Sequence, residues 1–172
     1  EPRPRVGPPL HPAFAEHASL DTAIVYPGGC LIEATNLSEG RGTTRPFELV
    51  GAPWIDGHRL ARELHATGLP GFRARPTSFL PTFQKHAGKS CGGVQVHVTE
   101  RATFRPVATY LAMLTLLRGQ DPERFGLRTE PYEYVDPSEA EALDLLCGTT
   151  ATREALMNGR EWREVVATVC GD

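Results

Sequence analysis

Two stretches of the chain crowd polar functional groups where apolar segments end. The first is Asn36-Leu37-Ser38-Glu39-Gly40-Arg41-Gly42-Thr43-Thr44-Arg45-Pro46. Glu39 offers a carboxylate, Arg41 and Arg45 offer planar forks of donors, Ser38 and Thr43 hydroxyls, and Asn36 an amide. Gly40 and Gly42 permit a positive φ or the close approach of a ligand. Such a loop can grip a polyhydroxylated or anionic small molecule. The same side chains can also serve only to satisfy the backbone of a tight turn. The second stretch is Gln84-Lys85-His86-Ala87-Gly88-Lys89-Ser90, which leads into a strand carrying Gln95 and His97. Each histidine taken alone reads as an ordinary surface residue. Together with Lys85 and Gln95, they make a candidate sugar-binding wall.

Sharper motifs fail on inspection. Gly88-Lys89-Ser90 matches the end of a phosphate-binding loop, but Phe83 stands where the first glycine is required. The chain has no GxSxG elbow, no HExxH, and no CxxC among its four cysteines. No metal and no cofactor are therefore expected. Glu130, Glu133, Asp136, Glu139 and Glu141 cluster in a helix start and its lead-in, where a solvated face is the simpler reading.

The elements that must position these groups can be read from local signals. Residues 1–18, with Gly7-Pro8-Pro9 and His11-Pro12, read as an extended lead-in or linker before one domain over 19–172. Leu20–Ala34 is apolar but interrupted by Pro27-Gly28-Gly29, which suggests two buried pieces about a turn. Phe47–Ala52 reads as a strand, Asp56–Thr67 as a helix closed by Gly68, and Gly71–Arg75 as a half-exposed strand. Thr77–Ser90 reads as a polar loop. Val94–Val98 alternates cleanly, with its valines on one face and Gln95 and His97 on the other. Pro106 fits the first position of a helix running to Arg118, with Gly119 as its stop and Val107, Tyr110, Leu111 and Leu114 as its buried stripe. Asp136-Pro137-Ser138-Glu139 resembles a capping box opening a helix that ends at Gly148. Thr149 would cap a second helix, ending near Asn158-Gly159, and Glu161–Cys170 forms a third. The expected class is α/β, with α+β as its variant: a mixed sheet of roughly three to five strands flanked by helices, and a helical C-terminal tail.

Composition narrows the partners. The chain has 172 residues, 40% hydrophobic and 23% charged, with a net charge of −3. That is globular, and it lacks the basic excess of a nucleic-acid binder. The longest apolar run, Leu111–Leu117, is interrupted by Thr115 and too short for membrane insertion. No signal peptide is visible. Cys30, Cys91, Cys147 and Cys170 read as buried free thiols.

Read as a string, Tyr26-Pro27-Gly28-Gly29-Cys30-Leu31-Ile32-Glu33-Ala34-Thr35-Asn36 and its continuation through Glu48 resemble a signature of the bacterial exo-β-N-acetylmuramidase family, formerly a domain-of-unknown-function family. Gly51-Ala52-Pro53-Trp54, Phe79–Lys89 and Cys91–Thr99 extend the resemblance, which covers about residues 19 to 170. It implies a peptidoglycan glycosidase that releases terminal N-acetylmuramic acid in an extracytoplasmic or secreted setting. It also implies a Rossmann-like N-terminal domain that shares a substrate cleft with a smaller C-terminal domain. This chain resembles the C-terminal part, so its partners would be a muramic-acid-terminated saccharide and that Rossmann-like half. Against the family pattern the Rossmann-like half is missing, and the chain alone is expected to lack part of the active site. Glycoside hydrolysis calls for two placed carboxylates, and Glu39 is the one catalytic candidate. Asn36, Ser38, Arg41, Thr43, Arg45, Lys85, His86, Gln95 and His97 are the expected substrate-binding residues, with Arg41 or Arg45 on the lactyl carboxylate. The exported setting also makes a Cys30–Cys91 bridge possible. The alternatives are a non-catalytic carbohydrate-binding module and a plain interaction domain.

Overall fold

A computed structural model describes residues 19–132, 135, 138 and 140–171. The expected linker over 1–18 lies outside the described residues, as do Asp136, Pro137 and Glu139 of the expected capping box.

The chain opens with helix α1 (Leu20–Gly29), capped by Ser19, whose hydroxyl accepts from the Thr22 amide. The expected turn at Pro27-Gly28-Gly29 is absent, and α1 runs through it into a 3₁₀ turn, Cys30–Ala34. These glycines serve packing instead. A Cβ on Gly28 would stand 2.3 Å from the Pro106 carbonyl oxygen, so only glycine lets α1 lie this close to the helix beginning there.

Strand β1 (Leu49–Ala52) leads to α2 (Gly57–Ala66), which begins where expected. Asp56 caps it by accepting from the amides of His58 and Arg59. Strands β2 (Phe72–Phe79) and β3 (Cys91–Val98) follow. Thr77–Phe79, expected in the loop, belong to β2. The sheet order is β1-β3-β2 and both pairings are antiparallel, with Val50 opposite Val94 and Ala74 opposite Val96. β1 and β2 therefore run parallel, joined through α2, with β3 inserted between them. The α/β class holds with three strands, paired antiparallel throughout rather than mixed.

Helix α3 (Pro106–Gln120) starts at the expected proline but passes through Gly119. Its Gln120 amide donates to the Asp56 carbonyl and accepts from the Asp56 amide, which fixes the extra turn. The expected stripe proves too narrow. Ala108, Thr109, Tyr110, Leu111, Ala112, Met113, Leu114 and Leu117 are all buried, while Val107 is only half-buried. A helix buried on nearly every side is a central one, here packed by α1, α2, the 3₁₀ turn and the last helix. The tail consists of α4 (Ala142–Cys147), α5 (Ala151–Met157) and α6 (Trp162–Cys170). Gly148 stops α4 in the left-handed region at φ 69°, and the Thr149 hydroxyl accepts from the Ala151 amide at the start of α5.

All four cysteines are free. Cys30 and Cys91 form no bridge: Cys91 is buried with Leu49 and Phe79, while the Cys30 thiol donates to the Pro27 carbonyl. Burial first, and the negative charge of Glu33 second, push the Cys30 thiol up to about 11.

Candidate functional site

The segment after the 3₁₀ turn is stitched on both sides. The Asn36 amide donates to Gly126 O and the Arg128 amide to Ala34 O, while Ser38 exchanges both backbone bonds with Gly51 of β1. These bonds place Glu33, Glu39 and Arg128 around one cavity of 310 Å³, together with Arg41, Gln84 and Tyr132. The loop between Glu39 and Phe47 is closed by a 2.6 Å bond from the Phe47 amide to the Glu39 carbonyl. Phe47 itself sits at φ 65°, held by the Tyr110 hydroxyl on its carbonyl.

Two carboxylates and two cations interlock at the floor. The Arg41 guanidinium donates to Glu33 Oε1 and lies 3.2 Å from Glu39 Oε1. Lys85 Nζ donates to Glu39 Oε2 at 3.0 Å. It also caps the 3₁₀ turn by donating to the Ile32 and Glu33 carbonyls at 3.1 and 3.3 Å. The Tyr132 hydroxyl donates to Glu33 Oε2 at 3.2 Å. Burial, and then the charge of Glu39, raise the Glu33 carboxyl above the usual carboxylate range. Burial lowers the Lys85 ammonium, against the pull of Glu39. Tyr132 is driven far above its ordinary value by burial and by Glu33. Burial thus works against the charged forms of Glu33 and Lys85, while the ion pairs with Arg41 and Glu39 work for them.

A second cavity of 230 Å³ adjoins the first, walled by Asn36, Lys85, His86, Leu127 and Arg128 among others. His86 Nε2 bonds the Asn36 carbonyl at 2.7 Å, and its ring meets Trp54 edge to face at 5.3 Å. Burial lowers the His86 imidazole, favouring its neutral form. Gln84 and His86 both adopt left-handed φ, 62° and 57°. Non-glycine residues hold that conformation only where their surroundings over-determine it, and such strain gathers at functional loops. Here the loop is pinned by Thr82, whose amide and hydroxyl both donate to Gly42 O.

The structure thus brings Glu39, Arg41, Lys85 and His86 together along the two cavities. Asn36 also walls the second cavity, but its side chain, like those of Ser38 and Thr43, is spent on the loop's backbone. The Asn36 amide bonds Arg124 O and Gly126 N, Ser38 Oγ accepts from Gly40 N, and the Thr43 hydroxyl donates to Gly40 O while accepting from Arg45 N. Arg45 and Gln95 belong to a different network around buried Glu48, and His97 stands exposed opposite Arg73. Glu33, Tyr132 and Arg128 line the site without having been singled out. Glu33 stands six positions before Glu39 but inside the apolar run Cys30–Ala34, which hides it, and nothing local marks Arg128.

The fold is that of solved DUF1343-family proteins from Bacteroides fragilis NCTC 9343. BF0371 matches at TM-score 0.71 and 24% identity over 85% of this chain and 37% of that one. BF0379 matches at TM-score 0.55 and 22% identity over 88% and 37%. The family model for the C-terminal part of exo-β-N-acetylmuramidase NamZ matches residues 24–171, and the chain belongs to that family. The peptidoglycan β-N-acetylmuramidase NamZ of Bacillus subtilis (strain 168) is 39% identical over 148 residues, 86% of this chain. The chain spans about a third of that protein, 33% of its length.

Proposed function

We propose that this chain is the substrate-holding C-terminal portion of a peptidoglycan glycosidase that releases terminal N-acetylmuramic acid, working in an exported setting. The observation that carries the reading is the polar cavity whose floor is the Glu33–Arg41–Glu39–Lys85 array. Carboxylates accept from sugar hydroxyls, while guanidinium and ammonium groups donate to acetamido and carboxylate oxygens. Ion pairs that fix one another hold these groups ready at little entropic cost on binding.

Glycosidic cleavage needs an acid on one side of the bond and a nucleophile or base on the other. Glu39 remains a candidate for chemistry, and Glu33 joins it with a carboxyl raised toward proton donation. Arg41 bridges the two, however, so they share one wall. The opposing group is assigned to a Rossmann-like partner domain. The purified 172-residue chain should therefore bind N-acetylmuramic acid in calorimetry and leave a chromogenic muramide intact. Robust release of the sugar by this chain, abolished in Glu39→Gln, would overturn the assignment of a missing wall.

A further inference from the structure

Among the described residues, the charges at the site do not pair off completely. Glu33 and Glu39 are matched by Arg41 and Lys85 through direct ion pairs. Arg128 is left over. Its Nε and Nη2 donate only to the backbone carbonyls of Glu130 and Pro131, at 3.1 and 3.0 Å. Its guanidinium lies 5.8 Å from the centre of the Tyr132 ring. Among the described residues it makes no ion pair, and it is half-buried. It also lines both cavities, standing where they meet.

These contacts orient a cation without neutralising it. Two backbone acceptors and an aromatic face hold the plane of the guanidinium, and its Nη1 carries no hydrogen bond among the described residues. A partly desolvated guanidinium aimed at open space favours a planar anion, which it can meet with parallel N–H bonds. Arg41 is less able to do this, since its donors are committed to Glu33 and Glu39, and Arg45 faces Glu48.

We propose that Arg128 recognises the carboxylate of a 3-O-lactyl sugar acid, seated at the junction of the two cavities. The inference rests on the muramic-acid reading above and deepens it: the lactyl carboxylate is what separates N-acetylmuramic acid from N-acetylglucosamine. The sugar ring then occupies the larger cavity over the Glu33–Glu39 floor. Arg128 is thereby a specificity-determining residue, acting on the substituent rather than on the glycosidic bond.

The test pairs a protein change with a ligand change. Calorimetry compares N-acetylmuramic acid with its uncharged methyl ester on the wild-type chain, on Arg128→Gln and on Arg128→Lys. The wild type should prefer the acid by about tenfold or more, the ratio expected for a charged hydrogen bond. Arg128→Gln should lose that preference. Arg128→Lys should keep part of it, because an ammonium supplies the charge without the fork. Equal affinity of the wild type for acid and ester overturns the proposal and needs no variant to fold. So does an Arg128→Gln variant that still discriminates as the wild type does. Failure of the wild type to bind either sugar overturns the broader reading as well, so the two failures are told apart.

Discussion

The domain buries two polar networks of similar make-up, and they do different things. One is Glu33, Glu39, Arg41 and Lys85, with Tyr132 and Arg128 at its margin. The other surrounds Glu48, which is 3% exposed. Glu48 Oε1 accepts from the Thr22 hydroxyl at 2.8 Å and lies 3.5 Å from Arg45 Nη1, while Oε2 accepts from the Gln95 amide at 3.4 Å. Gln95 in turn accepts from Arg75 at 2.8 Å. The Glu48 network pins α1 to the sheet through Thr22 and borders none of the cavities described above. The Glu39 network fronts two cavities and keeps at its edge Arg128, a cation with no ion pair among the described residues. Buried polar groups fully used up by one another point to architecture; a buried array that fronts a cavity with charge to spare points to a ligand.

The comparison can be broken most sharply at the two central carboxylates. Glu39 holds two cations, one of them a half-buried lysine, so Glu39→Gln leaves Lys85 and Arg41 short of countercharge. Breaking a buried pair from one side costs about 3–5 kcal/mol. Urea unfolding should show a loss in that range for Glu39→Gln, together with weakened N-acetylmuramic acid binding. Glu48→Gln should cost less, about 1–2 kcal/mol, because its partners are a hydroxyl, an amide and a half-exposed arginine. Sugar binding should survive Glu48→Gln at the wild-type level. Equal losses of stability, or a loss of binding in Glu48→Gln, would erase the distinction between the networks.

Titration sharpens it further. The Glu33 carboxyl is raised first by burial and then by the charge of Glu39. A carboxyl whose folded value lies above its unfolded value binds its proton more tightly in the folded state. Its stabilising contribution is thus complete below the ordinary Glu range and is lost as pH rises through the raised value. Carboxyl-carbon NMR should place the Glu33 midpoint above that of a free Glu, and Glu39→Gln should move it down. A midpoint that does not respond to Glu39→Gln would show the two carboxylates to be electrostatically independent.

How much of this could be read from the residues follows from how local each cause is. The helix read over Asp56–Thr67, the Pro106 start and the Gly148 stop depend on groups within one turn, and all three stand to within a residue, with Asp56 serving as the cap of the first. The passage of α1 through Pro27 depends on Gly28 meeting α3, a contact no local pattern announces. The extent of β2 was hidden for a related reason: Pro76 discourages a strand unless it lies at a sheet edge, and β2 is an edge strand. At the site, Glu39, Arg41, Lys85 and His86 were legible because they crowd two loops. Asn36, Ser38 and Thr43 sit in the same loop and do its backbone work, a choice that composition leaves open. Glu33 was masked by the apolar run Cys30–Ala34 around it. Arg128 arrives through the Thr35–Leu127 bridge, a pairing between segments distant in the chain.

The smallest expected effect lies at the far end of β3. The alternation of Val94–Val98 correctly puts Val94 and Val96 in the core, and it groups Gln95 with His97 on the opposite face. The structure separates those two by depth. Gln95 is 9% exposed because Glu48 and Arg75 close over it, whereas His97 lies one register step further, exposed and opposite Arg73. Facing a cation across an exposed pair, the His97 side chain has no buried partner whose loss would cost stability. His97→Ala should change unfolding free energy by no more than about 0.5 kcal/mol, as for surface substitutions elsewhere. Because His97 lines neither cavity at the Glu39 site, N-acetylmuramic acid affinity in calorimetry should also stay at the wild-type value. A clear drop in that affinity would extend the site onto the exposed end of β3 and make the division between the two networks too strict.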